Sequence, residues 1–225
     1  MYSQFVVVGC GGIGGWLIPP LFKEIEQLRT EIPDPLSVQV LLVDGDKVEQ
    51  SNIPRQNFTD EHIGGNKAYS FVPDLSGYEY DGSYISEDNV ANLIEDSSIV
   101  LAGPDNHACR RILAEHCETL KNCCLIIGGN EEFDGNVSCH LRDDGKDVTT
   151  PYRSRHPEVW DTTHDDRSEM SCDELSALPG GGQTLAANLM AATIMLNTVR
   201  LVLAGCIPLS DVYFDVGESK MGGTA

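Results

Sequence analysis

A glycine-rich turn near the start of the chain has the spacing needed to hold a phosphate group. Gly9, Gly11 and Gly14 follow an apolar run and lead into a segment with helical periodicity. Glycine lets the backbone approach a phosphate closely, and the N–H groups and dipole of a helix N-terminus favour an anion. The pattern predicts a nucleotide site, and a tight turn without a ligand is the alternative interpretation.

A second set of polar residues could complete such a site. Asp44 ends the next apolar run, where an acidic side chain accepts hydrogen bonds from ribose hydroxyls in many nucleotide-binding folds. Asn52, Arg55 and Lys67 follow, and Asp105 comes later. Cationic side chains stabilise phosphate charge, and carboxylate oxygens suit a hard cation such as Mg²⁺. Taken singly, these residues are equally typical of surface cations, turns and helix caps.

The segments between these residues alternate between strand-like and helix-like patterns. Residues 4–8 and 38–43 are predicted strands on either side of a helix from residue 13 to about residue 30, which makes a βαβ unit. Further helices are predicted at 87–96 and 106–120, and further strands at 98–102, 124–127 and 135–141. The alternation favours a Rossmann-like, doubly wound α/β fold with a mainly parallel sheet and a C-terminal antiparallel portion.

The rest of the chain is less regular. The polar stretch from residue 142 to about residue 170 is predicted to be a flexible crossover loop. The apolar run 183–204 is long enough for a membrane span, but Asn188, Asn197 and Arg200 favour a buried or interface helix. We expect an edge strand at 211–216 and a flexible, glycine-rich tail.

Composition narrows the class of protein. The chain has 225 residues with 41% hydrophobic content, which is sufficient for one domain spanning residues 1–225. Lys and Arg number 15 against 35 Asp and Glu, and the net charge of −20 argues against nucleic-acid and membrane partners. Eight cysteines without paired spacing and no recognisable signal peptide indicate reduced thiols and a cytoplasmic location.

Three ordered motifs resemble one family. Residues 51–56 read Ser-Asn-Ile-Pro-Arg-Gln, residues 60–68 read Asp-Glu-His-Ile-Gly-Gly-Asn-Lys-Ala, and residues 103–106 read Gly-Pro-Asp-Asn. With the glycine turn they resemble the ThiF/MoeB/HesA superfamily, which includes the ubiquitin-activating enzymes, and the resemblance is strong from Phe5 to about Leu113. It implies an adenylyltransferase, in which the C-terminal glycine of a ubiquitin-like or sulfur-carrier protein attacks the α-phosphate of ATP and pyrophosphate leaves.

The resemblance also implies a role for each matching residue. The nucleotide would be cradled by Gly9, Gly11, Gly12 and Gly14. Asp44 would hold the ribose, and the phosphates would contact Asn52, Arg55 and Lys67. Asp105 would bind the Mg²⁺ that accompanies ATP, so the expected catalytic residues are Arg55, Lys67 and Asp105.

The chain departs from the family's pattern in three places. Many members hold zinc with two Cys-x-x-Cys pairs, but Pro151 and Ser154 stand at the first pair, so zinc is not expected and a cluster of His156, His164 and Cys172 is a weak alternative. Residues 142–171 contain no cysteine, which predicts adenylation without a catalytic cysteine. Cys172 is interpreted as structural, although a helix N-terminus could make it reactive.

The third departure concerns an arginine that family members commonly carry on an N-terminal segment and extend to the partner subunit's ATP. Here Arg153 or Arg155 would have to replace it, or activity would depend on a partner protein. A homodimer formed through the helix at 183–204 is expected. Two alternative functions stay open, namely an NAD-dependent Rossmann oxidoreductase and a non-catalytic subunit of an activating-enzyme complex.

Overall fold

The computed structural model describes residues 2–162 and 183–225. The α-helices of this part of the chain are α1 (Gly12–Glu31), α2 (Val90–Leu93), α3 (His107–Thr119), α4 (Tyr152–Arg155) and α5 (Leu185–Leu203). Its strands are β1 (Gln4–Val8), β2 (Gln39–Val43), β3 (Tyr78–Asp81), β4 (Ser98–Ala102), β5 (Cys123–Asn130), β6 (Asp134–Asp143), β7 (Lys146–Asp147), β8 (Asp211–Asp215) and β9 (Lys220–Thr224).

All nine strands belong to one sheet in the order β3-β2-β1-β4-β5-β6-β8-β9, with β7 paired to β6. The five strands from β3 to β5 are parallel, and the pairs from β5 onwards are antiparallel. Val8 lies in register with both Val43 and Ala102, so β1, β2 and β4 end at the same level. The predicted fold class is confirmed.

Helices cover both faces of the sheet. Phe5 and Val7 of β1 point to a core shared with α1 and α5, whereas Val6 and Val8 point to a core shared with α3. This alternation is the period of two expected of a strand that is buried on both faces. The central strands are therefore held rigidly, and their carboxyl ends form a fixed edge.

Helix α5 has the length and the apolar composition that a membrane-spanning helix would need. One side of it is nevertheless buried against α1 and the antiparallel strands, including the fully buried Ala187, Ala191 and Met195. A half-buried helix of this kind is also what the core of a globular domain requires. The prediction of a buried helix is confirmed, and an interface role for its other side stays a prediction.

Four local predictions differ from the structure. The helix expected at 87–96 is reduced to α2, because the Asn89 side chain accepts a hydrogen bond from the Ser86 N–H and forms a turn instead. Strand β3 was not predicted, because its residues Glu79 and Tyr80 are exposed near the edge of the sheet and show no buried apolar run.

The third difference is at the C-terminal end. Residues 211–216 were expected at the edge of the sheet, and the tail was expected to be flexible, but β9 pairs with β8 along its whole length. A Cβ at Gly223 would lie 2.6 Å from Leu209 Cδ1, so glycine allows this close packing. The predictions of an edge strand and a flexible tail are wrong.

The fourth difference concerns the stretch that begins at residue 142. Within it lie the end of β6, then β7, α4 and a 3₁₀ turn at Pro157–Trp160. Regular elements therefore occupy much of the part expected to be a loop, because short polar elements show no recognisable periodicity in the sequence. Residues 163–170 of the predicted crossover loop lie outside the described residues, and its flexibility stays a prediction.

Candidate functional site

A cleft of about 950 Å³ opens at the carboxyl edge of the parallel strands. In open α/β sheets ligands bind at this edge, where neighbouring helices lead away on opposite faces. Six of the nine residues proposed from the sequence line it, namely Gly9, Gly11, Gly12, Asp44, Lys67 and Asp105. Its volume is at the upper end of the range for small-molecule sites, which leaves space for a nucleotide and a second reactant.

The glycine turn forms one wall of the cleft. Gly9 adopts a left-handed backbone conformation with φ of 82°, and a Cβ at Gly14 would collide with the carbonyl oxygen of Gly9. The turn therefore needs glycine at both positions for its own geometry. Gly14 does not line the cleft, so its role is to let α1 begin close to β1.

Asp44 fastens this turn to the end of β2. Its Oδ2 accepts a hydrogen bond from the Cys10 N–H (2.6 Å), and its Oδ1 accepts one from the Asp46 N–H (2.8 Å). Burial raises the pKa of Asp44 above its ordinary value, although Lys67 and the two N–H groups act in the opposite direction. The carboxylate therefore shapes the site in addition to facing the cleft.

Opposite the glycine turn, Lys67 is held by an ion pair. Its Nζ lies 2.9 Å from Asp46 Oδ2, and the residue is 7% exposed. The Tyr84 hydroxyl donates to the other oxygen of Asp46. This hydrogen bond, burial and the charges of Asp46, Asp44 and Asp105 together raise the pKa of Tyr84 to about 12. Three carboxylates thus surround one end of the cleft, where a cation would be favoured.

Asp105 is exposed on the cleft surface just before α3. The next residue, Asn106, caps that helix, since its Oδ1 accepts a hydrogen bond from the Cys109 N–H (2.7 Å). The sequence left open whether these two residues cap the helix or face the nucleotide site. Asn106 is the helix cap, and Asp105 faces the cleft.

Asn52 and Arg55 do not line the cleft. Asn52 is buried, and its Oδ1 accepts a hydrogen bond from the Glu49 N–H (2.9 Å) in a capping box, as the turn interpretation of this residue suggested. Arg55 is half-buried, and its carbonyl oxygen accepts hydrogen bonds from Trp16 and Asn188. Contacts of both residues with phosphate stay predictions.

The cleft is also lined by basic side chains that the overall charge does not reveal. Arg110, Arg155 and His156 all reach it. Arg155 forms an ion pair with the buried Asp211, whereas Arg153 stacks on Trp160 with its guanidinium carbon 5.0 Å from the ring centre. Of the two arginines considered as replacements for an N-terminal arginine, only Arg155 is therefore in the cleft.

His156 is fixed by a polar network. Its Nε2 lies 2.9 Å from Ser138 Oγ and 3.1 Å from Asp211 Oδ1, and its Nδ1 lies 3.0 Å from Glu158 Oε1. Burial opposes the charged imidazolium, but the hydrogen bonds and charges of Asp211 and Glu158 outweigh it and raise the pKa of His156. Burial likewise opposes ionisation of Asp211, yet its bonds to His156, Arg155 and Ser138 lower its pKa. The network favours an imidazolium at the cleft wall.

Sequence reasoning missed several residues of the cleft. Gln56 belongs to a quoted motif and stands beside Arg55, and Asp46 lies two residues after Asp44, so both could have been found from assigned residues. Arg110, His156 and Tyr84 come from separate elements, and only the fold brings them together. His164 and Cys172 lie outside the described residues, so a catalytic or metal-binding role for either of them stays a prediction.

Known proteins share both sequence features and the fold of this chain. The model of the ThiF family matches residues 2–210. No curated protein matches the chain in sequence. Among solved structures, E. coli MccB with ATP is similar, with a TM-score of 0.68 and 18% identity over 99% of this chain and 63% of that chain.

Two further solved structures have the same fold. Microcin C7 biosynthetic enzyme MccB in complex with N-formylated MccA has a TM-score of 0.68 and 18% identity, covering 99% of this chain and 64% of that one. PaaA has a TM-score of 0.64 and 18% identity, covering 98% and 63%. The chain thus spans less than two thirds of the length of these structures, and at this identity the likeness shows the fold alone.

Proposed function

This chain belongs to the ThiF family, as the motifs of residues 51–106 predict, and on that basis we propose that it is an ATP-dependent adenylyltransferase. Its substrate is the C-terminal glycine of a ubiquitin-like or sulfur-carrier protein. A carboxylate oxygen attacks the α-phosphorus of ATP, the bond to the bridging oxygen of the β-phosphate breaks, and pyrophosphate leaves with the electron pair. The product is an acyl-adenylate.

The observation that carries this proposal is the composition of the cleft. It brings the glycine turn, Asp44, Lys67 and Asp105 to one edge of the sheet, from four separate stretches of sequence. Their chemistry matches the parts of a nucleotide, since Asp44 can accept from ribose hydroxyls and Lys67 can face phosphate oxygens. An NAD-dependent oxidoreductase would use the glycine turn and Asp44 but gives no reason for Lys67 and Asp105.

Catalysis would come from positioning and electrostatics. The attacking carboxylate is already ionised near neutral pH, so the reaction requires no general base. Negative charge spreads over the phosphate oxygens as pyrophosphate leaves, and Lys67 is held by Asp46 in a position to stabilise it. Arg55 is proposed to supply further positive charge, for which its side chain would have to move into the cleft.

The carboxylates around the cleft fit a role for Mg²⁺. Asp44, Asp46 and Asp105 lie close enough to act together on Tyr84, and they would repel the phosphates of ATP without a cation between them. Mg²⁺ is usually held by one or two carboxylates together with substrate phosphates, and Asp105 is placed to be such a ligand. When bound, the ion would neutralise charge on the phosphate oxygens.

The basic side chains of the cleft are proposed to receive the acceptor. MccB, which shares the fold, has been crystallised in complex with MccA. In this chain, Arg110, Arg155 and His156 are placed to attract a C-terminal carboxylate into a protein whose net charge is −20.

The first test is ligand-induced thermal stabilisation of the purified protein. A ligand that binds the native state raises the melting temperature by mass action, so ATP with Mg²⁺, ATP with EDTA and NAD can be compared directly. We expect a clear rise with ATP and Mg²⁺, a smaller one with EDTA and none with NAD. A rise with NAD alone would support the oxidoreductase and contradict the proposal.

The second test is exchange of labelled pyrophosphate into ATP. Exchange requires reversible formation of the adenylate, so it is expected only when an acceptor is added. Sulfur-carrier and ubiquitin-like proteins ending in Gly-Gly are the acceptors to use, and the same proteins lacking the last glycine are matched controls. Stabilisation by ATP without exchange for any of these acceptors would identify a non-catalytic subunit.

A homodimer is also part of the proposal. The side of α5 that faces away from the core carries exposed Leu185, Leu189 and Leu201, and Ile207 follows the helix. A second copy of the chain would remove this apolar surface from water.

A further inference from the structure

A buried carboxamide beside the glycine turn has no hydrogen-bond partner in the described part of the chain. Gln56 is 3% exposed, and neither its Nε2 nor its Oε1 is hydrogen-bonded there. Buried side-chain amides are nearly always paired, so an exception calls for an explanation. Gln56 also lines the cleft. Its two amide atoms are buried from solvent, so a rotation of the side chain would bring them to a molecule bound there.

The carboxamide is directed at the beginning of α1. The position that a Cβ would take at Gly11 lies 3.5 Å from Gln56 Oε1 and 3.6 Å from Nε2. Gly11 is the N-cap of a 20-residue helix and offers no side chain for capping. The first N–H groups of such a helix lack intrahelical partners and carry a partial positive charge.

A second buried amide with an unpaired oxygen among the described residues lies at the beginning of α1. Asn188 of α5 is fully buried, and its Oδ1 is unpaired among the described residues, while its Nδ2 donates to the Arg55 carbonyl oxygen (3.3 Å). A Cβ at Gly12 would lie 2.9 Å from Asn188 Oδ1. Two elements remote in sequence therefore place amides against one helix N-terminus.

From this geometry we propose that Gln56 binds the nucleotide directly, with its Nε2 donating a hydrogen bond to a phosphate oxygen at the N-terminus of α1. The inference rests on the proposed ATP site and adds to it a binding residue that the family resemblance did not assign. A neutral donor suits this position because a cation would be repelled by the positive end of the helix. An anionic ligand selects the amide orientation in which Nε2 faces it.

The proposal predicts opposite effects on the free and the bound protein. Replacing Gln56 with Leu removes an unpaired buried amide at similar volume, so the free protein should melt at the same temperature or higher. The same change removes a hydrogen bond to a charged group, so ATP should bind roughly tenfold to a hundredfold more weakly. A residue that only supports the fold would instead lower the melting temperature of the free protein.

The experiment compares wild type, Gln56→Leu and Gln56→Glu, with Gln50→Leu as the matched control, since Gln50 is an exposed glutamine of the same loop that lies outside the cleft. Melting temperatures are measured without ligand, and dissociation constants are measured by calorimetry for ATP with Mg²⁺, AMP and adenosine. We expect Gln56→Leu to weaken the binding of ATP and of AMP but not the binding of adenosine. Gln56→Glu keeps the shape of the side chain but adds a negative charge, so it should weaken ATP binding further.

Three outcomes would overturn the inference. ATP affinities equal to wild type in both Gln56 variants would show that Gln56 does not touch the phosphates. A free Gln56→Leu protein that melts well below wild type, with Gln56→Glu binding ATP normally, would show a structural role. Failure of wild type to bind ATP, AMP and adenosine would overturn the proposed function as well, so the two failures are distinguishable.

Discussion

At the scale of single residues, Lys67 is a positive charge that the fold fixes in the cleft. It is nearly buried, and Asp46 holds its amino group at 2.9 Å. We expect Lys67→Ala to lower adenylation by roughly a hundredfold or more, since the loss of one group that stabilises transition-state charge commonly costs this much. Pyrophosphate exchange measures the effect, and circular dichroism checks that the variant is folded.

Lys47 provides the matched control for this prediction, because it is an exposed lysine of the same region whose side chain does not line the cleft. Lys47→Ala should exchange pyrophosphate at the wild-type rate. Arg55→Ala should resemble Lys67→Ala. Turnover near wild type in both Arg55→Ala and Lys67→Ala would remove the roles proposed for these two cations.

A second prediction concerns Asp105 and Mg²⁺. Asp105→Asn keeps the size of the side chain but removes its charge, so the cation should bind more weakly and a higher Mg²⁺ concentration should be needed for ATP to stabilise the protein. Titrating Mg²⁺ at fixed ATP in a thermal-shift assay gives the midpoint, which should rise about tenfold. The exposed Asp74, changed to Asn, is the control. An unchanged midpoint for Asp105→Asn would contradict its role as a ligand.

The polar network around His156 predicts a pH dependence of stability. The pKa of His156 in the folded protein is raised above its ordinary value of 6.5. Its contribution to stability is therefore full below pH 6.5 and is lost as the pH rises through the folded-state pKa. Urea unfolding of wild type and His156→Gln at pH 6.0, 7.0 and 8.5 should show a difference that shrinks towards alkaline pH.

His140 is a useful contrast, because burial lowers its pKa even though Asp147 lies 2.9 Å away and acts in the opposite direction. The contribution of His140 to folding stability should be present above pH 6.5 and should be lost as the pH falls. The difference between wild type and His140→Gln should therefore shrink towards acidic pH. If the two histidine variants showed the same pH trend, the assigned directions of their pKa shifts would be wrong.

At the scale of elements, the junction between β1 and α1 predicts a strict requirement for glycine. A methyl group at residue 14 would collide with the Gly9 carbonyl oxygen, and this contact is between two backbone segments that have no flexible side chain to move aside. We expect Gly14→Ala to lower the free energy of unfolding by about 1–3 kcal/mol or more. Urea denaturation measures it.

Gly222 is the matched control for this prediction. A Cβ there would meet no atom within 4 Å, and its backbone is not left-handed, so Gly222→Ala should be close to neutral. Equal stability of Gly14→Ala and Gly222→Ala would show that the junction can relax and that this glycine is not required for the fold.

The same elements show which parts of the fold could be predicted from the sequence. Strands β1 and β4 are apolar after their first residue and buried on both faces, and their predicted bounds agree with the structure. Strand β9 could not be predicted, because glycines at 222 and 223 have no side-chain pattern and the strand forms only through pairing with β8. Local sequence patterns were sufficient to predict strands whose residue types are determined by burial. They failed for a strand that forms only through pairing with another strand.

The site follows a similar division. Asp44, Lys67 and Asp105 could be placed because each stands in a recognisable motif at the end of a strand or loop. Arg110 and His156 belong to α3 and to the residue after α4, and their arrival at the same cleft depends on how β5 and β6 pair. No spacing in the sequence contains that information.

At the scale of the whole molecule, charge is unevenly distributed. The chain has a net charge of −20, yet Arg110, Arg155 and His156 line a cleft that also carries carboxylates such as Glu131 and Asp134. Because salt screens charges over about 8–10 Å, these basic groups would act on a charged ligand only at short range. The acceptor proposed above would therefore have to bring its terminal carboxylate close to them, which a flexible C-terminal tail allows.

The exposed leucines of α5 predict that two copies of the chain assemble through this helix. Leu189 is 40% exposed on the apolar side of α5, and a second copy of the chain would bury it. We expect wild type to elute with twice the monomer mass of 24.5 kDa in size-exclusion chromatography with light scattering, and Leu189→Glu to elute as a monomer because a charge would be buried at the interface. Leu36→Glu, at an exposed leucine away from α5, should leave the dimer intact. A wild-type protein that is monomeric at micromolar concentration would contradict the homodimer, and the apolar side of α5 would then need a different partner.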